Sequence, residues 1–444
     1  MNRAVLIVTP YFAPQSHAAV FRAYKLAKYL PSLGWKPYVV TTDWNYLYNE
    51  DPHLLSDLPP EVEVFRARYV EPSVRGLRML LGGRDRTFKA VKAEARAQTV
   101  TSPAAQRSSF AQIAYKYLLD RWLHTPDEYW TWKRPAMTMA RRLMREKQIP
   151  LVFTSANPYT CHQIGRELQR EGARWVADLR DPHAYNARTS SPYFPVYARQ
   201  LAIERAAVRS ADAVTVAAQA IALICTDLHD CRSPERFHFI PTGLDDALRP
   251  ECSEPLRPYP YLIFSGEYLR EYGVEFLRTF KAANEHPDVS ALGYRLLLVG
   301  RMEVNGHLRA AVDELGLQDC IEFVDHMPQK DLYSLIAGAK AGVVLSAPLH
   351  QWWCLYAKMV DFIALRKPVI ALVPDPSEAR TRLTKAGLGV FLEANHEAAV
   401  STLVDFLSGR KTPGQPNAEE CDLYLASSQV RSFAAVFENL LSGA

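Results

Sequence analysis

Continuous apolar runs that end in polar residues recur along this chain, with amphipathic stretches between them. That alternation leaves few folds open. "AVLIVTP" (4–10) is apolar almost throughout and stops at Pro10, as expected of a parallel strand buried on both faces. "VFRAYKLAKYLPSLG" follows, with Val20, Tyr24, Ala27 and Leu30–Leu33 at helical spacing and Gly34 placed as a C-cap. "PYVVTTD" is the next strand. Strand, helix and strand in that order make a βαβ unit, which calls for a parallel sheet and a right-handed crossover. "PLVFTSAN", the helix "CHQIGRELQREG", "RWVADLRDP", "ADAVTVAA" and "FHFIPTG" continue the series.

Near Pro250 the texture changes. "LRPECSEPLRPYPY" packs prolines and charges together and reads as a linker. The alternation then restarts with "YLIFSGE", "YRLLLVGR", "IEFVDH", "AGVVLSAP" and "KPVIALV" as strands. "GVEFLRTFKAAN", "GHLRAAVDELG" and "KDLYSLIAGA" are the helices among them, and the stretch opened by "YAKMVDF" joins the last two strands. At 444 residues the chain exceeds one comfortable core, since domains run to roughly 100–200 residues. The expected architecture is α/β: two Rossmann-like doubly wound domains facing across a cleft. Their expected bounds are 1–248, with a basic helical insertion near 66–145, and 249–424. In the tail, Val430, Phe433, Val436, Phe437, Leu440 and Leu441 fall on one stripe. Residues 425–444 are therefore expected to form a helix packing back on the first domain.

Net charge is only +4, which does not suggest a nucleic-acid binder. Its distribution is uneven. Residues 66–145 hold 17 Lys/Arg against 6 Asp/Glu, a local net of +11, which leaves the rest near −7. One reading is a helical insertion with a solvated face. The other is a peripheral contact with anionic lipid, where each basic residue contributes about 1 kcal/mol. Too few aromatics lie among its basic residues for a single-strand nucleic-acid platform. The seven cysteines form no CxxC pair and no Cys/His cluster with zinc spacing, so reduced thiols and a cytoplasmic protein are expected. The apolar run at the start is too short for a signal peptide, and no window approaches the roughly 18–20 apolar residues of a membrane span.

Doubly wound sheets bind ligands beyond the carboxyl ends of their strands. The polar strand ends are therefore the candidates: "TPYFAPQSHAAVFR", "TSANPYTCH" and "DLRDPHAYN" in the first domain, and "SGEYLREYG", "VGRMEVNG", "SAPLHQWWCLYAK" and "VPDPSEA" in the second. No Walker lysine loop is present, nor a GxGxxG after a first strand, so hydride transfer and ATP-driven chemistry lose their usual support.

The ordered set "TPYFAPQSHAAVFRAYKLAKYLPSLGWKPYVVT", "TPDEYWTWKRPAM", "TSANPYTCHQIG", "RWVADLRDPHAYN", "FIPTGLDD", "FSGEYLREYGVEFL" and "AKMVDFIALRKPVIALVPDPSEA" resembles the bacterial family 4 glycosyltransferases of GT-B fold. The resemblance covers almost the whole chain. It implies a retaining, metal-independent transfer of a sugar from a nucleotide-sugar, with UDP-sugars favoured over GDP-sugars. The implied acceptor is a glycan or lipid-linked intermediate of cell-surface polysaccharide synthesis. No cofactor is implied, because the nucleotide-sugar is a substrate. Without a metal, the leaving diphosphate has to meet cationic side chains and helix N-termini.

Lys358, at the start of a helix, and Arg270, after "LIFSG", suit the diphosphate. A plain surface cation is the plainer reading of each. Asp361 stands where resembling proteins carry a glutamate for the nucleotide ribose; the competing reading is a Lys/Asp pair on a helix face. Gly266 and Arg301 end neighbouring strands on the donor side. Where the wider family often has another glutamate, this chain has Trp353, which either stacks on the ligand or packs. In the first domain Asp181 is the candidate for orienting the acceptor or accepting its proton. Arg180 stands where the family commonly has histidine; an arginine cannot be the base but can hold an anion. His162 is a third catalytic candidate. Ser16, His17, Arg22, Asn157 and Asp178 complete the candidate acceptor and sugar loops, each against a structural alternative. Two other functions stay open. One is a nucleotide-sugar 2-epimerase, which would act on the donor alone. The other is a non-catalytic relative that binds nucleotide-sugar without turnover. Oligomeric state is open.

Overall fold

The computed structural model describes residues 2–43, 50–72, 76, 118, 125–187, 189–231, 233–251, 254–301, 305–346 and 351–443. Most of the basic block, 66–145, and Cys252 lie outside them. The described residues form two compact units. One is Met1–Ile240 with Val430–Ala444; the other is Pro241–Gln429 and takes in the proline-rich stretch.

The first unit is built on seven strands: β1 (Ala4–Val8), β2 (Lys36–Thr42), β3 (Glu63–Ala67), β4 (Leu151–Ala156), β5 (Arg174–Leu179), β6 (Ala213–Val216) and β7 (Phe237–Phe239). Their order is β3-β2-β1-β4-β5-β6-β7, and every pair is parallel. All five residues of β1 and all six of β4 are buried, as an unbroken apolar run requires when helices cover both faces. The helices that matter below are α1 (Ala18–Tyr29), α2 (Lys133–Lys147), α3 (Thr160–Arg170), α4 (Phe194–Ser210) and α5 (Gln219–His229). Gly165 lets α3 close on the sheet: a Cβ there would sit 2.3 Å from the Trp175 indole nitrogen. β3 was not read from the sequence. It lies at the sheet edge, its first four residues half-buried, so no continuous apolar run announces it.

The second unit has six strands: β8 (Tyr261–Ser265), β9 (Arg295–Val299), β10 (Ile321–Val324), β11 (Ala341–Leu345), β12 (Val369–Leu372) and β13 (Gly389–Phe391). Their order is β10-β9-β8-β11-β12-β13, again all parallel. The order reverses between β8 and β11, as it does between β1 and β4 in the first unit. Those switch points are where open α/β sheets place ligands. Between β11 and β12 lies α6 (Ala357–Ala364).

The chain ends in α7 (Ala426–Ser442). Phe433 meets Phe153 of β4 edge-on at 5.2 Å, and Phe437 meets Trp35 at 5.4 Å. Val430, Phe433 and Phe437 are fully buried in the first unit's core with Ile7, Leu26 and Phe153. No helix among the described residues is long and apolar enough to cross a membrane.

Candidate active site

In the first unit a cavity of about 450 Å³ opens beyond the carboxyl ends of β1, β4 and β5. Tyr11, Asp127, Glu128, Asn157, Tyr159 and His183 line it, with Thr189, Ser190, Ser191 and Gln200 along a further wall. Gln200, on α4, fixes that wall by accepting from the Ser191 amide at 2.9 Å and donating to the Thr189 carbonyl at 3.1 Å. Glu204, one turn on, is fully buried. It accepts from the Tyr159 hydroxyl at 2.8 Å and from the His183 and Ala184 amides at 2.6 and 3.1 Å. His183 is stacked on Tyr159 with centroids 4.4 Å apart, and burial lowers its affinity for a proton. The cavity thus presents a neutral imidazole, hydroxyls and carboxylates, which is hydrogen-bonding chemistry suited to a polyhydroxylated ligand.

Asp127 joins two helix starts. Its carboxylate accepts from the Tyr129 amide at 2.9 Å and from the Thr160 amide and hydroxyl, both at 2.8 Å. Burial pushes the carboxyl up to about 6 despite those donors. Replacing Asp127 by alanine should therefore cost about 1–2 kcal/mol for each cap lost, read by urea denaturation at neutral pH. A second effect has a definite sign. Because the folded-state value is raised, the native chain binds the extra proton, so this group's contribution to stability falls as pH rises from about 4 to 6. Asp127→Asn should flatten that slope, and an unchanged slope would show that Asp127 does not titrate in that range.

The residues expected at this site are placed unevenly. Asn157 lines the cavity. Asp181 is half-buried just beyond β5. Arg180 is committed to backbone: Nε donates to Ala156 at 2.9 Å, Nη1 to Ala19 at 2.6 Å, and Nη2 to Asn157. It straps the start of α1 to the end of β4 with three of its five N–H donors. His162 is fully enclosed on α3, with Nδ1 2.8 Å from the Thr154 hydroxyl, and burial lowers its pKa to about 3. It is a neutral core imidazole that does not line the cavity. Arg22 and Asp178 are both at most 1% exposed and face each other bidentately, with Nε–Oδ2 at 2.9 Å and Nη2–Oδ1 at 2.7 Å. Ser155 and Thr215 complete the carboxylate's shell at 2.8 and 2.7 Å. The pair is a core element, so neither side chain reaches a ligand. Ser16 is half-buried. His17 rests edge-on against Tyr11 at 4.9 Å with Nε2 3.1 Å from the Gln15 side chain, and burial, then Arg180, lowers its pKa to about 4.

In the second unit the switch point carries a lysine. The Lys358 ammonium, in the first turn of α6, sits 3.3 Å from the centroid of the Phe264 ring at the end of β8. No hydrogen bond or ion pair satisfies it among the described residues, and burial lowers its pKa to about 7. The chain turns away from β8 at Gly266, whose φ of +96° an L side chain rarely adopts and whose missing Cβ would face open space. Asn305, itself buried, braces this turn by donating to the Gly266 carbonyl at 3.2 Å and accepting from the Tyr268 amide at 2.9 Å. Arg270 follows on the exposed side of the loop, and Arg301 is exposed beyond β9. Asp361, one turn after Lys358, is half-buried and hydrogen-bonded to the Tyr333 hydroxyl. Trp353 is only 4% exposed, and its indole N–H meets no acceptor among the described residues.

No protein-family model matches the chain, and no curated protein sequence matches it. Solved structures do. Sucrose-phosphate synthase from Thermosynechococcus elongatus superposes over 100% of both chains with a TM-score of 0.64 at 14% identity. Anabaena HepE, solved with UDP and glucose, covers 99% of this chain and 96% of its own, with a TM-score of 0.53 at 13% identity. A putative UDP-N-acetylglucosamine 2-epimerase from Listeria monocytogenes covers 100% and 98%, with a TM-score of 0.55 at 12% identity. The chain has the GT-B fold.

Within that GT-B frame, sequence reasoning missed Tyr11, Asp127, Glu128, His183 and Gln200. Tyr11 and His183 lie within segments already singled out as strand ends, and Asp127 and Glu128 lie in "TPDEYW". A polar residue directly after a strand-ending proline was the available signal for His183. Gln200 gave none, because it sits inside a helix.

Proposed function

We propose that this protein is a retaining glycosyltransferase of the family 4 type. It would move a sugar from a nucleotide-sugar, most simply a UDP-sugar, to a glycan or lipid-linked acceptor, with no metal in the transfer step. The observation that carries the reading is Lys358: an ammonium at a sheet switch point, held on an aromatic face with no carboxylate paired to it among the described residues. A partly desolvated cation without a counter-ion is costly unless a ligand supplies the anion. A diphosphate does so. Arg270 would join Lys358 on the leaving group, and Gly266 gives the phosphates room. Asp361 would offer its remaining acceptor capacity to a ribose hydroxyl. Trp353 would border the donor, its N–H available to a ligand oxygen, and Arg301 would lie further out on the donor side.

The acceptor is assigned to the first unit's cavity, where Asn157, Glu128 and His183 would hydrogen-bond its hydroxyls. Asp181 remains the proposed proton acceptor there, with the leaving phosphate as the other possibility. Arg180, His162, Arg22 and Asp178 would act by holding the strand ends in place. The basic block would bring the protein to an anionic membrane surface, where a lipid-linked acceptor resides.

Thermal-shift measurements with UDP-, GDP- and ADP-sugars test the donor, because a ligand that binds only the folded form raises Tm by mass action. The expected result is a rise with one nucleotide class and product only when acceptor is added. Formation of the 2-epimer from nucleotide-sugar alone would replace this reading with the epimerase, a putative function of one protein of the same fold. A donor that binds with no turnover on any acceptor would support a non-catalytic role.

A further inference from the structure

The first unit buries a second cluster that sugar transfer does not use. Cys225 and His229 lie four residues apart on α5, so they share one face of that helix. Glu204 of α4 faces them. One ligand atom from each of the three lies within 4.8 Å of the other two, and all three residues are fully buried. His229 Nε2 is 3.2 Å from Glu204 Oε2, yet without hydrogen-bond alignment, and its Nδ1 has no partner among the described residues either. An imidazole buried with one nitrogen unpartnered and the other in poorly aligned contact with a carboxylate is costly.

Glu204 has one place left. Its Oε1 accepts from Tyr159 and the His183 amide, and its Oε2 from the Ala184 amide. A carboxylate has about four lone-pair directions, so the remaining one lies on Oε2, the oxygen nearest His229. Buried carboxylate, imidazole and thiol converging with open lone pairs make a mixed O, N, S donor set, which a borderline-soft tetrahedral ion accepts. In such a site the N···O edge is about 3.3 Å for bonds of about 2.0 Å, close to the 3.2 Å observed between His229 and Glu204. Spacing in the sequence hid this set, because Glu204 comes from another helix.

We propose that Glu204, Cys225 and His229 bind a structural zinc ion. Cys231, buried just beyond α5 and near enough to act electrostatically on Cys225, or a water takes the fourth position. Without metal, burial holds the Cys225 thiol protonated. Zinc binding releases that proton to solvent as the sulfur becomes a thiolate ligand. The donors on Glu204 then serve as the outer shell that orients a ligating carboxylate. Because the same carboxylate holds the His183 and Ala184 amides and Tyr159, the ion would stiffen one wall of the acceptor cavity. The proposal does not depend on the glycosyltransferase reading.

The full chain, expressed with zinc and desalted, should retain about one equivalent by elemental analysis. Its zinc absorption-edge spectrum should show sulfur together with nitrogen or oxygen neighbours. One sulfur would mean water, and two would mean Cys231, in the fourth place. Replacement by cobalt should give a thiolate charge-transfer band and tetrahedral visible bands; in Cys225→Ala the charge-transfer band should be lost if water is the fourth ligand and weakened if Cys231 is. Chelation should lower Tm by several degrees, and zinc should restore it. A desalted wild-type chain with no zinc that cannot be loaded would overturn the proposal. So would a six-coordinate oxygen and nitrogen shell, or a cobalt charge-transfer band undiminished in Cys225→Ala. The wild-type spectra decide the matter even if that variant fails to fold.

Discussion

Lys358→Ala sharply reduces the rise in melting temperature that the nucleotide-sugar gives the wild-type chain. A hydrogen bond to a charged group contributes about 1.5–3 kcal/mol, so affinity should fall roughly 10- to 150-fold. The pH dependence makes the expectation sharper. In the free protein Lys358 loses its proton near pH 7, while a bound diphosphate favours the charged form. Affinity should therefore be level below about pH 7 and fall above it, by up to tenfold per pH unit. Binding at pH 8 should take up protons, visible as a buffer-dependent heat in calorimetry. Lys358→Arg stays charged throughout and should lack the fall. The same burial predicts a gain in stability. A lysine whose folded-state value is depressed binds fewer protons when folded, so its penalty is fully present below pH 7 and fades as pH rises towards its ordinary value. Lys358→Met should thus raise Tm of the ligand-free chain at pH 6 and much less above pH 10. A Lys358→Ala chain that binds the donor as the wild type does would place the diphosphate elsewhere.

Asp178→Ala should be the most damaging single change in the first unit. It leaves the Arg22 guanidinium in the core facing Ser155 and Thr215, with the Phe433 ring 5.1 Å away. Removing one partner of a buried pair costs about 3–5 kcal/mol, a large share of a total stability of about 5–15 kcal/mol. Denaturant midpoints or soluble yield would read the loss. Arg22→Met with Asp178→Val should recover much of it, because a buried pair replaced by apolar groups is often neutral. Acid gives an independent check. Burial pushes the Asp178 carboxyl up, but Arg22, Thr215 and Ser155 together hold it below its ordinary value. Its contribution is present above about pH 4 and disappears as pH falls through the folded-state value. A cost under 1 kcal/mol for Asp178→Ala would mean that the pair is not what holds β5 to α1.

These two residues also show how differently parts of the site could be read. Lys358 stood out in the sequence because a cation placed between two apolar strands, at a helix start, has few structural uses. Arg22 and Asp178 looked like ligand contacts for the same reason, being charged residues at a helix start and a strand end. They are 156 positions apart, and nothing local indicates that they meet. His162 and Arg180 follow the same pattern: each has the chemistry of a site and meets neighbours, the Thr154 hydroxyl and three backbone carbonyls, that pattern reasoning does not supply.

The alternation of apolar runs and amphipathic stretches was enough to establish two parallel sheets. Strand and helix periods are local, and burial on both faces writes itself into consecutive residues. β3 and the three-residue β13 escaped, because both lie at a sheet edge and neither carries such a run. Which polar groups stay open to a ligand was decided by tertiary structure alone. That depends on whether a distant chain segment brings a counter-charge, as Asp178 does for Arg22, or brings none among the described residues, as at Lys358. Sequence order carries the kinds of chemistry available, and only packing determines which of them remain unsatisfied.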